Sequence, residues 1–159
     1  DLCFLAGDDY RNFLQRNAPE ILKPGEIVST DGRSIGKHNG LANYTIGQRK
    51  GLGGGHGKRF FVLRIDSERN QVVVGEAPEL LRNELSVGRL NFLASGLPPV
   101  GSRVDVQIRH RARPMSAEIV AISQNSCRVC FEMSVSAVTP GQSAVLYQND
   151  RVLAGGRIE

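Results

Sequence analysis

Cysteine thiolates would be the strongest nucleophiles available to this chain, and it has three cysteines: Cys3, Cys127 and Cys130. Cys3 stands between Leu2 and Phe4. Its neighbours alone mark it as a buried structural cysteine, since only a helix start at Asp8 could stabilise a thiolate there. Cys127-Arg128-Val129-Cys130 has the C-x-x-C spacing of zinc and redox sites. A structural zinc ion wants four ligands, however, and there is no second cysteine pair. Residues three apart on a strand point to opposite faces, so these thiols should diverge and pack as small hydrophobes. His38, His56 and His110 show no metal-ligand spacing, and no metal site is expected.

A glycine-rich loop, Gly51-Leu52-Gly53-Gly54-Gly55-His56-Gly57-Lys58, invites a phosphate-cradle reading. The register fails. A Walker loop ending at Gly57-Lys58 needs glycine where Leu52 stands and Ser or Thr where Arg59 stands; the dinucleotide fingerprint fails at His56. The loop is read as flexible, with Lys50, Lys58 and Arg59 available to phosphate. Arginines carry a different signal. If Val104 to Arg113 is one strand, Val104, Val106 and Ile108 face one way, with His110, while Asp105, Gln107, Arg109, Arg111 and Arg113 face the other. Alternate strand residues lie about 6.6 Å apart, close to the phosphate spacing of an RNA strand. The same row would equally guard a sheet edge against aggregation.

These groups need elements to hold them. Asp8 or Asp9 can cap a short helix carrying Tyr10, Phe13 and Leu14, ended by Pro19 and Pro24-Gly25. Ile27-Val28 lead into an Asp31-Gly32 hairpin turn; Phe60 to Ile65 and Val72 to Val74 form a second pair around Asp66–Asn70. Pro78 to Asn83 reads as one helical turn. Six short strands follow: 87–93, 104–111, 117–122, 128–131, 144–147 and 152–154. Turns at intervals of roughly ten residues make them a small closed barrel. The fold class is mainly β, with a domain boundary near residues 83–88, giving domains 1–85 and 86–159.

At 40% hydrophobic residues, the 159-residue chain can bury one ordinary core or two small ones. No apolar run approaches the roughly 20 residues of a membrane span. The start lacks the basic region and cleavage site of a signal peptide. It also lacks an initiator methionine, so a piece of a longer chain is expected. An odd cysteine count fits a reduced, cytoplasmic compartment. Up to Leu85 there are 12 Lys/Arg against 11 Asp/Glu, and from Ser86 onward 8 against 5, all eight being Arg. That surplus permits nucleic-acid binding without requiring it.

Several segments, in order along nearly the whole chain, resemble the tRNA-specific 2-thiouridylase family. They begin with Leu2-Cys3-Phe4-Leu5, Pro24-Gly25 with Ile27, and Gly36-x-His38-x-Gly40. Tyr44-Thr45-Ile46-Gly47-Gln48-Arg49-Lys50-Gly51-Leu52-Gly53 and Arg109-His110-Arg111 follow. Ala137-Val138-Thr139-Pro140-Gly141-Gln142-Ser143 comes last, before Gly155-Gly156. The Thr-Ile-Gly-Gln-Arg and Ala-Val-Thr-Pro-Gly-Gln segments are the most specific.

The resemblance implies a central domain followed by a β-barrel similar to those of translation elongation factors. It implies that Cys3 carries a persulfide for 2-thiolation of the wobble uridine of tRNA. Arg109, His110 and Gln142 would contact tRNA, with Arg111 and Arg113 extending the row. ATP and magnesium would be bound by an amino-terminal domain whose Ser-Gly-Gly-x-Asp-Ser loop is absent here, as is the partner cysteine of the closing disulfide. No cofactor is expected in this part, and it alone should be inactive. A persulfide donor linked to a cysteine desulfurase would be the second partner after tRNA, and no membrane is involved. Ala154 and Arg157 depart from the family's usual residues. The competing reading is a non-catalytic RNA-binding barrel, which would have no use for Cys3.

Overall fold

The computed structural model describes residues 10–52 and 59–159. Cys3, the Asp8/Asp9 cap and most of the glycine-rich loop lie outside them. The chain divides into two compact units between Leu80 and Leu81.

The first unit opens with helix α1 (Tyr10–Asn17). Pro19 cannot continue it and instead starts a single 3-10 turn, Pro19–Leu22. A four-stranded sheet follows, built from β1 (Gly25–Ser29), β2 (Ser34–His38), β3 (Phe61–Asp66) and β4 (Gln71–Gly75), in the order β2-β1-β4-β3. The expected hairpins are both present, and β1 and β4 join them by pairing in parallel. Ile27, Val62, Val72 and Val74 form the core with Leu41 and Leu52. Asp31 closes the first hairpin by accepting from the Ser29 hydroxyl and the Arg33 N–H, and these bonds hold its carboxyl below the usual range.

The second unit is a closed barrel in the order β10-β5-β8-β7-β6-β9. Its strands are β5 (Leu81–Phe92), β6 (Arg103–Gln107), β7 (Met115–Ile122), β8 (Ser126–Ser136), β9 (Ser143–Gln148) and β10 (Arg151–Ile158). Every neighbouring pair is antiparallel. Closure leaves no edge to guard. Val87, Val106, Ile119, Val129, Ala144 and Leu146 are fully buried inside it. No helix among the described residues is long and apolar enough to cross a membrane.

Three expected boundaries move. The helical turn after Pro78 ends at Leu80, and residues 81–83 already belong to β5 because they pair with the end of β8. The division therefore falls before the expected 83–88. The last strand continues through Gly155-Gly156 to Ile158. β6 stops at Gln107, four residues short of the expected Arg111.

Candidate RNA-binding end of the barrel

The early end of β6 decides where the arginines stand. Val104, Val106 and Ile108 do face the core in alternation. Beyond them the chain turns: the Ala112 N–H donates to the Arg109 carbonyl at 3.2 Å, and Arg111 takes a left-handed backbone with φ +63°. Gln107 locks the turn by donating through Nε2 to the Ala112 carbonyl at 2.9 Å, while the Tyr147 hydroxyl donates to Gln107 Oε1 at 3.0 Å. Pro114, which has no N–H to offer a ladder, precedes the return strand at Met115. Arg109, Arg111 and Arg113 are thus not a row on a strand face. They sit in the β6–β7 connection, exposed, together with His110, which the strand reading had placed on the opposite face.

The turn has a neighbour. β6 pairs with β9 through Gln107↔Val145, and β9 pairs with β10 through Ser143↔Arg157. The chain entering β9, which carries Gln142, therefore reaches the same end of the barrel as the β6–β7 turn. Arg109 ties the two loops together: its Nη2 donates to the Ala137 carbonyl at 2.7 Å and to that of Ser136 at 3.4 Å. Ala137 is itself left-handed (φ +53°), and its carbonyl also accepts from the Thr139 hydroxyl at 3.1 Å. The following turn is closed by the Gln142 N–H on the Thr139 carbonyl at 3.2 Å. Gly141 adopts φ +85° there after Pro140, as the third position of a type II turn requires.

A fourth cation joins this end. Arg157 donates through Nη1 to the Gly141 carbonyl at 2.9 Å, bracing the turn that presents Gln142. The sequence marks Arg157 only as a departure at the last strand; its role depends on the β9–β10 register, which no local pattern encodes. None of Arg109, Arg111, Arg113 and Arg157 makes an ion pair among the described residues. Four uncompensated guanidinium groups and one exposed amide at one barrel end form a surface suited to phosphate.

The cysteine pair behaves as strand geometry dictates. Cys127 points into the barrel core, Cys130 lies on the other face, and both are free thiols. Burial pushes the Cys127 thiol up from 9.0 to about 11, so it is an inert core residue. No group of three His, Cys, Asp or Glu among the described residues could hold a metal ion.

His38 has a structural role. It is almost completely buried, its Nδ1 accepts the Gly40 N–H at 3.1 Å, and its Nε2 lies 3.1 Å from the Asn70 carbonyl. Since Nδ1 must accept, the proton sits on Nε2 and is donated to Asn70. A Cβ at Gly25 would lie 2.6 Å from His38 Nε2 and collide with the Asn70 carbonyl oxygen, so only glycine fits beneath this bond. In the Thr45–Gln48 segment, Gln48 folds the loop, accepting from the Thr45 N–H at 3.0 Å and donating to the Lys50 carbonyl at 2.9 Å. Arg49 and Lys50 project outward from it.

The described residues form two β units, the second a closed barrel with an arginine-rich end. Residues 11–76 match the model of the tRNA methyl transferase PRC-barrel domain, and residues 82–158 that of the aminomethyltransferase β-barrel domain. Across its whole length the chain is 42% identical to the tRNA-specific 2-thiouridylase MnmA of Carboxydothermus hydrogenoformans and 42% to that of Acetivibrio thermocellus. The Moorella thermoacetica protein of the same name is 43% identical. The chain belongs to the tRNA-specific 2-thiouridylase family. It spans 44% of the length of each of these relatives and matches their carboxy-terminal part.

Proposed function

We propose that this chain is the tRNA-holding and sulfur-carrying part of an enzyme that 2-thiolates the wobble uridine of tRNA in the cytoplasm. Similarity over the full chain to proteins named for that activity carries the reading. The basic barrel end supports it physically. Arg111 and Arg113 hold RNA phosphates, His110 lies beside them, and Gln142 offers an uncharged amide. Arg109 contributes its free N–H groups while fixing the loop that bears Gln142.

Cys3 carries the sulfur as a persulfide, charged by a donor protein linked to a cysteine desulfurase. ATP and magnesium, bound by a domain outside this chain, activate the uridine C2 oxygen as an adenylate. The terminal persulfide sulfur attacks C2, the C2–O bond breaks and AMP leaves. A second cysteine, also outside this chain, attacks the Cys3 sulfur and forms a disulfide. The sulfur left on C2 takes the bonding pair of the broken S–S bond, so two thiols supply the two electrons that reduce it.

The test measures 2-thiouridine formed on tRNA with ATP, magnesium and a persulfide donor. The isolated chain should bind tRNA and thiolate none of it. In the complete protein, Cys3→Ser should abolish donor-dependent thiolation with tRNA affinity retained. Normal turnover by that variant would contradict the assignment.

A further inference from the structure

The first unit has a cavity at each end of its four-stranded sheet. At the end where β1 and β4 finish, a cavity of about 390 Å³ is rimmed by Asp31, Arg33, Glu76 and Glu79. At the opposite end, where β2 finishes at His38, lies an open basin of about 620 Å³. Its lining includes Gln15, Lys37, Asn39, Asn43, Tyr44 and Gly51, and no carboxylate.

Three of the basin's polar side chains are uncommitted among the described residues. The Lys37 ammonium and the side-chain amides of Gln15 and Asn39 make no hydrogen bond or ion pair among the described residues. Internal bonds, by contrast, hold the walls still. Tyr44 donates to the Gly51 carbonyl at 3.3 Å and packs edge-on against buried His38, with ring centroids 5.7 Å apart. Asn43 donates to the Asn39 and Gly40 carbonyls at 2.9 and 3.3 Å. Arg49 and Lys50, next to Gly51, are exposed and make no ion pair among the described residues. A rigid wall bearing an aromatic ring, two free amides and a free ammonium matches one nucleotide of an RNA strand. The phosphate meets Lys37, and the amides of Asn39 and Gln15 meet the base or ribose edge.

We infer that this basin is a second RNA contact, taking one tRNA nucleotide separately from the basic barrel end. The inference rests on tRNA being the partner, as argued above. It is tested by salt-titrated binding of a tRNA transcript to the 159-residue chain, comparing Lys37→Gln, Asn39→Ala and, at the barrel, Arg111→Gln. All three side chains are exposed, and thermal unfolding checks that the folds are equal. Lys37→Gln should weaken binding about fivefold and lower the log–log salt slope by roughly 0.7 to 0.9. Asn39→Ala should weaken it with the slope unchanged. If Lys37→Gln binds like the parent while Arg111→Gln is impaired, the basin is not an RNA site and the barrel reading stands. If Lys37→Gln weakens binding of free uridine 5′-monophosphate but leaves tRNA affinity unaltered, the basin serves a free nucleotide and the inference falls. If the parent chain does not bind tRNA, both readings fall together.

Discussion

Arg109 reaches from the β6–β7 turn to the Ala137 carbonyl, 2.7 Å away, and so joins the turn bearing His110 and Arg111 to the loop bearing Gln142. A residue whose type suggests a phosphate contact thus also acts as a brace. Losing a charged donor to a carbonyl costs about 1 kcal/mol or more, discounted here because Arg109 is exposed. Arg109→Gln should therefore lower the melting temperature by a few degrees, whereas Arg111→Gln should leave it unchanged. Differential scanning calorimetry of the two variants measures this, and equal melting temperatures would contradict the brace.

Arg157 makes the parallel prediction for the neighbouring turn. Arg157→Val keeps a strand-forming side chain but removes the donor to the Gly141 carbonyl. The turn then presents Gln142 less rigidly, and tRNA affinity should fall about fivefold, the equivalent of one hydrogen bond. Arg157→Val combined with Gln142→Ala should bind no more weakly than Gln142→Ala plus the loss of one charge. Full additivity in a double-mutant cycle would mean that Arg157 acts without the turn.

Much of the barrel was legible because its strands alternate. Val104, Val106 and Ile108 read as an inward face, and they are one. The β6–β7 turn was not legible: it uses Arg111 at positive φ where glycine or asparagine is the usual signal, and alternating arginines imitate a continuing strand. Gly155-Gly156 likewise hid the second half of β10, since glycine weakens a strand signature. The role of His38 depends on Asn70, 32 residues away, and on a Gly25 that leaves room for their bond. Contacts of that range exist only once the sheet has formed. Gln142 is singled out by resemblance alone, and the bond by which Arg157 braces its turn shows in neither resemblance nor pattern.

His38→Ala should destabilise the first unit by about 2 kcal/mol or more, since it strands the Gly40 N–H and the Asn70 carbonyl. Gly25→Ala should destabilise it too, by displacing the same bond. Denaturant titration measures both. A His38→Ala protein as stable as the parent would show that water replaces the imidazole at no cost.

The buried Cys127 thiol gives the barrel an alkaline dependence. Its folded-state value is raised to about 11 from 9.0, so folding favours the protonated form. That contribution is complete below pH 9 and is lost as pH rises from about 9 towards 11. Cys127→Val should flatten this part of the stability profile. Denaturant titration across that range measures it, and an unchanged profile in Cys127→Val would contradict the account.

The central claim is that the barrel end holds RNA through its phosphates. Its most direct test is a salt titration of tRNA binding to Arg111→Gln, Arg113→Gln and Gln142→Ala. Each arginine that neutralises a phosphate releases counterions, so each Arg→Gln change should lower the log–log slope by roughly 0.7 to 0.9. Gln142→Ala should weaken binding with no change of slope, because an amide displaces no cation. Slopes identical to the parent's in both arginine variants would contradict the account and leave these side chains as exposed charge on a barrel end.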